Sequence, residues 1–178
     1  VHTFDKCFFM PSDLTAGLEY NRYRLKDNMW GYDRHTDQTV NIYSAFLQNE
    51  WKNDRWGILI GGRLDKHNMV DNVIFSPRAN LRFNPTQNIN LRLSYSSGFR
   101  APQAFDEDMH IENVGGTVAM IERAKNLKEE KSQSFSASAD MYHRFGVFQT
   151  NFLIEGFYTR LTDVFVLGEP YDRGDGIL

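Results

Sequence analysis

Asn88-Ile89-Asn90-Leu91-Arg92-Leu93-Ser94-Tyr95-Ser96-Ser97-Gly98-Phe99-Arg100 is the stretch that decides the fold of this chain. Ile89, Leu91, Leu93, Tyr95 and Phe99 share one parity, and Asn90, Arg92, Ser94, Ser96 and Arg100 share the other. Successive side chains of a strand point to opposite faces, so the pattern describes a strand with one apolar and one polar side. The segment before it repeats the pattern, with Ala79, Leu81 and Phe83 against Arg78, Asn80 and Arg82. Asn84-Pro85-Thr86-Gln87-Asn88 supplies turn chemistry between the two, which makes a hairpin.

The alternation spreads outward in both directions. Phe135, Ala137, Ala139 and Met141 oppose Ser134, Ser136, Ser138 and Asp140; Arg144-Phe145-Gly146 then turns the chain into a strand over 147–162. There Phe152, Ile154 and Tyr158 oppose Asn151 and Glu155. Near the start, Leu14, Ala16, Leu18 and Tyr20 oppose Thr15, Glu19 and Asn21, with a weaker strand before a turn at Pro11-Ser12-Asp13. Segments 40–52 and 56–65 read as strands of less tidy parity about Asn53-Asp54-Arg55. The connections are expected to alternate between short turns and long loops at 26–39, 66–76 and 101–131, so that the large loops gather at one end of the sheet. Outer-membrane barrels sort their loops this way. The strands run to about 10–14 residues, where soluble strands peak near about 5–6 and membrane-spanning ones need about 9–11. Trp51, Trp56, Phe83, Phe145 and Phe148 stand by the short turns, and Tyr20, Tyr23, Tyr43, Tyr95, Phe99 and Tyr158 toward the loops. Two such belts suit the two interfaces of a bilayer. Arg78, Arg82, Arg92, Arg100, Glu19, Asp140 and Glu155 stand on the other face, and charges at bilayer depth cost about 2–4 kcal/mol each, so that face looks into water.

Bulk properties agree and exclude alternatives. The 178 residues are 41% hydrophobic and 14% aromatic, with Phe 14 and Tyr 8. Mean hydropathy is -0.52, and no stretch approaches the length of a spanning helix or a signal-peptide pattern. A net charge of -3 with dispersed Lys and Arg gives no reason to expect a nucleic-acid partner. Cys7 is the only cysteine, which excludes an internal disulfide or a Cys-rich metal centre. The expected fold class is all-β: an antiparallel up-and-down meander of about eight long strands belonging to a transmembrane β-barrel.

Ser94 to Pro102, with Gly98-Phe99-Arg100-Ala101-Pro102 at its end, resembles a signature of TonB-dependent outer-membrane receptors. Asn126-Leu127-Lys128-Glu129-Glu130-Lys131-Ser132 is similar to that family's Asn-Leu-Lys-Pro-Glu-Lys-Ser segment, with Glu129 where Pro is usual. Gln48-Asn49-Glu50-Trp51-Lys52 and Gly61-Gly62-Arg63-Leu64-Asp65 resemble pieces of an upstream hairpin of the family. The resemblance implies a bacterial outer-membrane barrel of about 22 strands closed around a plug domain. It implies uptake of a scarce nutrient chelate, an iron–siderophore or haem foremost and cobalamin next, energised through the TonB protein. On this reading residues 1–178 form one partial barrel domain without plug, signal peptide or TonB-contacting segment. Its partners are outer-membrane lipid, the plug, the TonB complex and a metal-chelate ligand, and it associates with itself when isolated.

Arg78, Arg82 and Arg92 share the water-facing parity of one hairpin. Their guanidinium forks suit carboxylates or phenolates of a ferric chelate, or acidic residues of a plug; plug contacts or salt bridges within the lumen are the preferred expectation. Arg100 and the loop residues Asp106, Asp108 and His110 are the other candidate contacts. Asp106-Glu107-Asp108 with His110 and Glu112 lacks the spacing of a calcium loop and reads as solvated, so no metal and no cofactor is assigned. No nucleophile, base pair or phosphate-cradling motif emerges, so the chain is expected not to be an enzyme. Two rival readings remain: a porin-like or adhesive barrel without a plug, and a soluble carbohydrate-binding β-sandwich.

Overall fold

The computed structural model describes residues 1–102, 112–114, 117–119, 127–166 and 168–169. The strands are β1 (His2–Cys7), β2 (Met10–Met29), β3 (Arg34–Lys52), β4 (Trp56–His67), β5 (Val73–Thr86), β6 (Ile89–Arg100), β7 (Glu112–Val114), β8 (Thr117–Ala119), β9 (Glu130–Phe145) and β10 (Phe148–Thr162). Eight of them form one antiparallel meander in the order β1-β2-β3-β4-β5-β6-β9-β10; β7 and β8 pair separately. Local chemistry closes the tight turns. Asn53 Oδ1 accepts the amides of Arg55 and Trp56 at 2.9 and 2.7 Å, and Gly146 takes φ 59 between β9 and β10. That left-handed backbone suits a residue without Cβ.

The faces are as the alternation requires. One row of directly paired residues reads Leu14, Asn49, Ile60, Ala79, Tyr95, Phe135, Tyr158 across β2 to β10. One residue along, the row on the opposite face reads Thr15, Gln48, Gly61, Arg78, Ser96, Ser134, Thr159. What differs from a soluble protein is which face is dry. Leu18 is 87% exposed, Phe75 60% and Ile154 56%, while in β9 the serines are half-buried and the residues between them, up to Ala137, are exposed. The sheet curls around its polar side. Its surface of 13097 Å² far exceeds the roughly 8,900 Å² that the scaling for compact proteins gives at this mass. The buried hydrophobic residues are only Val40, Val70, Ile74 and Ala101 among the described residues.

The apolar face carries two aromatic belts. On one side, Phe9 stacks on Trp51 at 5.8 Å and Trp56 on Phe83 at 4.2 Å, and Phe145 pairs with Phe148. On the other, Tyr20 stacks on Tyr43 at 4.9 Å, and Tyr95 lies 4.8 Å from Phe135, which pairs with Tyr158. Between the belts, on β2 to β6, β9 and β10, no Asp, Glu, Lys or Arg points to this face among the described residues. Arg22, Arg24, Lys131 and Arg160 share its parity but lie beyond the upper belt. Lys66, level with Tyr43, reaches past the belt to the carbonyls of Val70 and Asp71. Tyr43 to Trp51 on β3 and Phe135 to Phe145 on β9 both match the about 9–11 residues that cross a bilayer. Both belts descend obliquely across the pairing rows from β3 to β9, as they must when strands tilt against a barrel axis.

Several expectations are corrected. The first turn falls at 8–9 rather than at Pro11–Asp13: Phe8 takes φ 62 and β2 begins at Met10. Segment 26–39 is not a loop but a strand ribbon with its tip at 30–33, because cross-strand polar pairs carry β2 and β3 outward. Arg24 meets Asp37 at 2.9 Å, and His35 Nδ1 lies 3.0 Å from Asn28 Oδ1. The 66–76 loop shrinks to 68–72, where Asn68 binds the carbonyl of Thr39 and the amide of Asn41, both at 2.9 Å. Apart from the long connection between β6 and β9, the ends of the sheet therefore differ less in loop length than in how far strands overshoot. Tyr23 pairs with Val40 on the polar face and is no part of the belt.

Candidate functional site

The polar face is where chemistry can be held, and three constellations lie on it. The first joins the two motif segments. Arg100 pairs with Glu130, Phe99 with Lys131 and Gly98 with Ser132, so the ends of β6 and β9 zip together at the base of segment 101–129. Arg100 Nη1 lies 3.8 Å from Glu130 Oε2, and its guanidinium sits 5.9 Å over the Phe165 ring. Glu130 also accepts the backbone amide of Phe165. Ala101 is buried against Val70 and Ile74, with Phe99 packed on that cluster. Gly98 leaves room there: a Cβ would stand 3.1 Å from Ser132 Oγ. Pro102 is half-buried beside Ala101, and Leu127 and Lys128 are exposed just before β9. Glu129, in place of the usual Pro, is 8% exposed and bonded to Lys131 at 3.0 Å.

The second constellation was not read from the sequence. Arg63 donates to Glu19 at 2.7 Å, to Asp65 at 2.8 Å and to Ser44 at 2.8 Å, and Ser44 donates to Asp65 at 2.5 Å. Asp65 is 2% exposed. A carboxylate so far from water survives by charge-assisted bonds of this kind. The available signal was parity: Arg63 and Asp65 fall on the face of Glu19 once β4 is set against β3. His67, at 1% exposure, continues that face, and its Nδ1 accepts the amide of Met69 at 3.0 Å.

The third is the arginine set. Arg82 and Arg92 are direct cross-strand partners, and Arg78 stands four residues away along β5, beyond Asn80 and opposite Ser96. Arg82 donates to the Asn53 carbonyl at 3.1 Å and Arg92 to Asn90 Oδ1 at 2.8 Å. Asp106, Asp108, His110 and Asn126 lie outside the described residues, as does most of the acidic loop. No metal-holding group of His, Cys, Asp and Glu occurs among the described residues.

An exposed apolar band free of charge, framed by two aromatic belts and backed by a polar face of salt-bridged strands, defines part of the wall of a transmembrane β-barrel. Residues 2–176 match the profile of the family described as TonB dependent receptor-like, beta-barrel. The chain belongs to that family. Among solved structures it is similar to the siderophore receptor PirA from Pseudomonas aeruginosa, at TM-score 0.65 and 16% identity, covering 85% of this chain and 29% of that one. It is also similar to the ferric enterobactin receptor PfeA in complex with BCV-L6, at TM-score 0.61 and 19% identity over 75% of this chain and 22% of that one. The siderophore receptor PirA from Acinetobacter baumannii gives TM-score 0.58 and 17% identity over 89% and 32%. At these identities the likeness is one of fold, and the chain spans less than a third of each structure's length. No curated protein sequence matches.

Proposed function

We propose that this chain supplies wall strands of an outer-membrane active transporter for a scarce nutrient chelate, with a ferric siderophore as the first candidate. The observation that carries the reading is the family match over 2–176, on a sheet whose exposed apolar band between two aromatic belts is free of charge. The solved relatives named as siderophore and ferric enterobactin receptors support iron chelates ahead of haem or cobalamin. In this reading the apolar band meets lipid and the polar face lines a lumen that a plug fills. The overshooting ribbon of β2 and β3 stands on the outer side, at the same end of the sheet as Arg100 and Glu130. Transport is then a matter of binding and gated passage rather than covalent chemistry.

Deletion of the gene encoding this chain in its source bacterium tests the reading. Under iron limitation, uptake of at least one radiolabelled ferric siderophore should fall to background and return on complementation. That uptake should also stop when the proton-motive force is collapsed. Unchanged uptake of every ferric siderophore tried, together with haem and cobalamin, would overturn the proposal. Uptake that persists without the proton-motive force would instead fit a passive barrel.

A further inference from the structure

The apolar band is not evenly filled. Ala79 pairs with Tyr95, and Ala137 lies between Leu93 and Gly156, so three small residues stand among large outward-facing neighbours. There the surface sinks into an open trough of about 750 Å³ that crosses from β4 to β10. Asn80, Ser94 and Ser136 also line it; their side chains point to the polar face, so what they present to the trough is backbone. Tyr95, Phe135 and Tyr158 of the upper belt form its outer rim. Past that rim, on the same face, stand Arg160 and Lys131. Arg160 lies two positions beyond Tyr158, roughly 7 Å along the strand and about 5 Å in depth at a strand tilt of about 35–45°. Headgroups occupy about 5–8 Å outside each edge of the hydrocarbon, so the guanidinium falls among them. Arg160 faces Gln133 and Lys131 faces Thr162, which makes the two cations diagonal neighbours about 7–8 Å apart, close enough for one anionic group to meet both.

Charge matching separates this corner from the rest of the outward face. Arg24 has Asp37 at 2.9 Å, and Lys66 ends on the carbonyls of Val70 and Asp71 at 3.2 and 2.5 Å. Lys131 has Glu129 at 3.0 Å, but Arg160 is exposed with no carboxylate at ion-pair distance among the described residues. Arg22 is equally unmatched, yet it stands six strands from Arg160, roughly 29 Å along the sheet, with no trough beneath it. A trough in an apolar band accepts any chain the bilayer presents, and an unmatched cation at its mouth favours an acidic headgroup over a zwitterionic one. We infer that the trough and the two cations above it bind one phosphate-bearing lipid, its acyl chain along Ala79, Ala137 and Gly156 and its phosphate between Arg160 and Lys131. Arg160 brings the fork that matches phosphate oxygens, and Lys131 a point charge. The inference rests on the apolar band meeting lipid, the reading proposed above.

The test uses the full chain in phosphatidylcholine vesicles carrying a trace of spin-labelled phosphatidic acid or, in parallel, spin-labelled phosphatidylcholine. Electron paramagnetic resonance then gives the fraction of each label immobilised on the protein. Phosphatidic acid should be preferred by about fivefold, the weight of one Lys or Arg near an acidic headgroup, and the preference should weaken with salt. It should vanish in Lys131→Gln/Arg160→Gln and persist in Arg22→Gln and in Arg78→Gln, which removes an arginine from the other face. A Cβ at Gly156 would meet nothing within 4 Å, so Gly156→Leu fills the trough without disturbing the sheet and should lower the immobilised fraction of phosphatidic acid about as far. Equal preference in wild type and the double glutamine variant would overturn the inference. So would full retention in Gly156→Leu, which reduces the site to surface charge, or a loss in Arg22→Gln as large as that in the double variant. Inorganic phosphate that displaces the labelled lipid, where chloride at the same ionic strength does not, would also overturn it by making the site one for the free anion. Immobilised lipid without preference defeats this inference alone, whereas a chain that immobilises no lipid at all defeats the membrane-wall reading with it.

Discussion

Adjacent residues on one strand of this sheet live in different solvents, and the contrast is sharpest at Asn80 and Leu81. Leu81 belongs to the apolar row with Ile58 and Leu93, between the aromatic belts, while Asn80 faces Leu59 and Ser94 on the polar side. Leu81→Arg should cost about 2–4 kcal/mol and Asn80→Arg less than about 1 kcal/mol, measured by reversible denaturant unfolding of the chain in lipid vesicles. Similar costs would mean that the two faces see the same medium. The polar face is itself uneven. Removing the Arg63 guanidinium strands the buried Asp65, so Arg63→Ala should destabilise by about 1.5–3 kcal/mol in the same assay. Arg78→Ala, with no such partner, should stay within about 0.5 kcal/mol.

At the scale of strands and hairpins, what could be read from the sequence depended on whether a residue's environment is set by its own neighbours or by a partner far along the chain. Ile89 to Arg100 was legible because lipid on one side and water on the other impose strict alternation. The ribbon over 26–39 was not, since both its faces are wet and its order comes from cross-strand pairs such as Arg24 with Asp37. Pro11 masked the first turn, because proline is as much at home at the start of a strand as in a turn. The motif segments were visible as words, but their direct pairing, with Glu130 tying Arg100 to Phe165, needed the register. The ribbon also carries a pH signature beyond the membrane-spanning part. Hydrogen bonding from Arg24 holds the Asp37 carboxyl below its ordinary pKa of 3.8. A carboxylate whose pKa falls on folding stabilises above the unfolded value and loses that contribution as pH drops through the folded one. Amide protection near 24–37 should therefore persist at neutral pH and decline below about pH 4, and in Asp37→Asn it should be weaker at neutral pH and flat across that range.

For the molecule as a whole, exposed surface is the governing quantity. A charge-free band and an outer edge of β10 that pairs with no strand among the described residues cannot both stay open in water. Light scattering should find the isolated chain associated or precipitated in plain buffer, and a defined β-rich particle once detergent is present. A monodisperse monomer without detergent would show that the apolar face is covered from within. The oblique course of the aromatic belts has a consequence for how such a wall finds its alignment. A strand that slid by two residues would keep every side chain on its proper face. Here the same slide would carry a ring such as Tyr43 or Trp51 about 7 Å along its strand, out of the headgroup layer and into oil or open water. The bilayer thus acts as a ruler, penalising even-numbered errors that alternation alone would let pass.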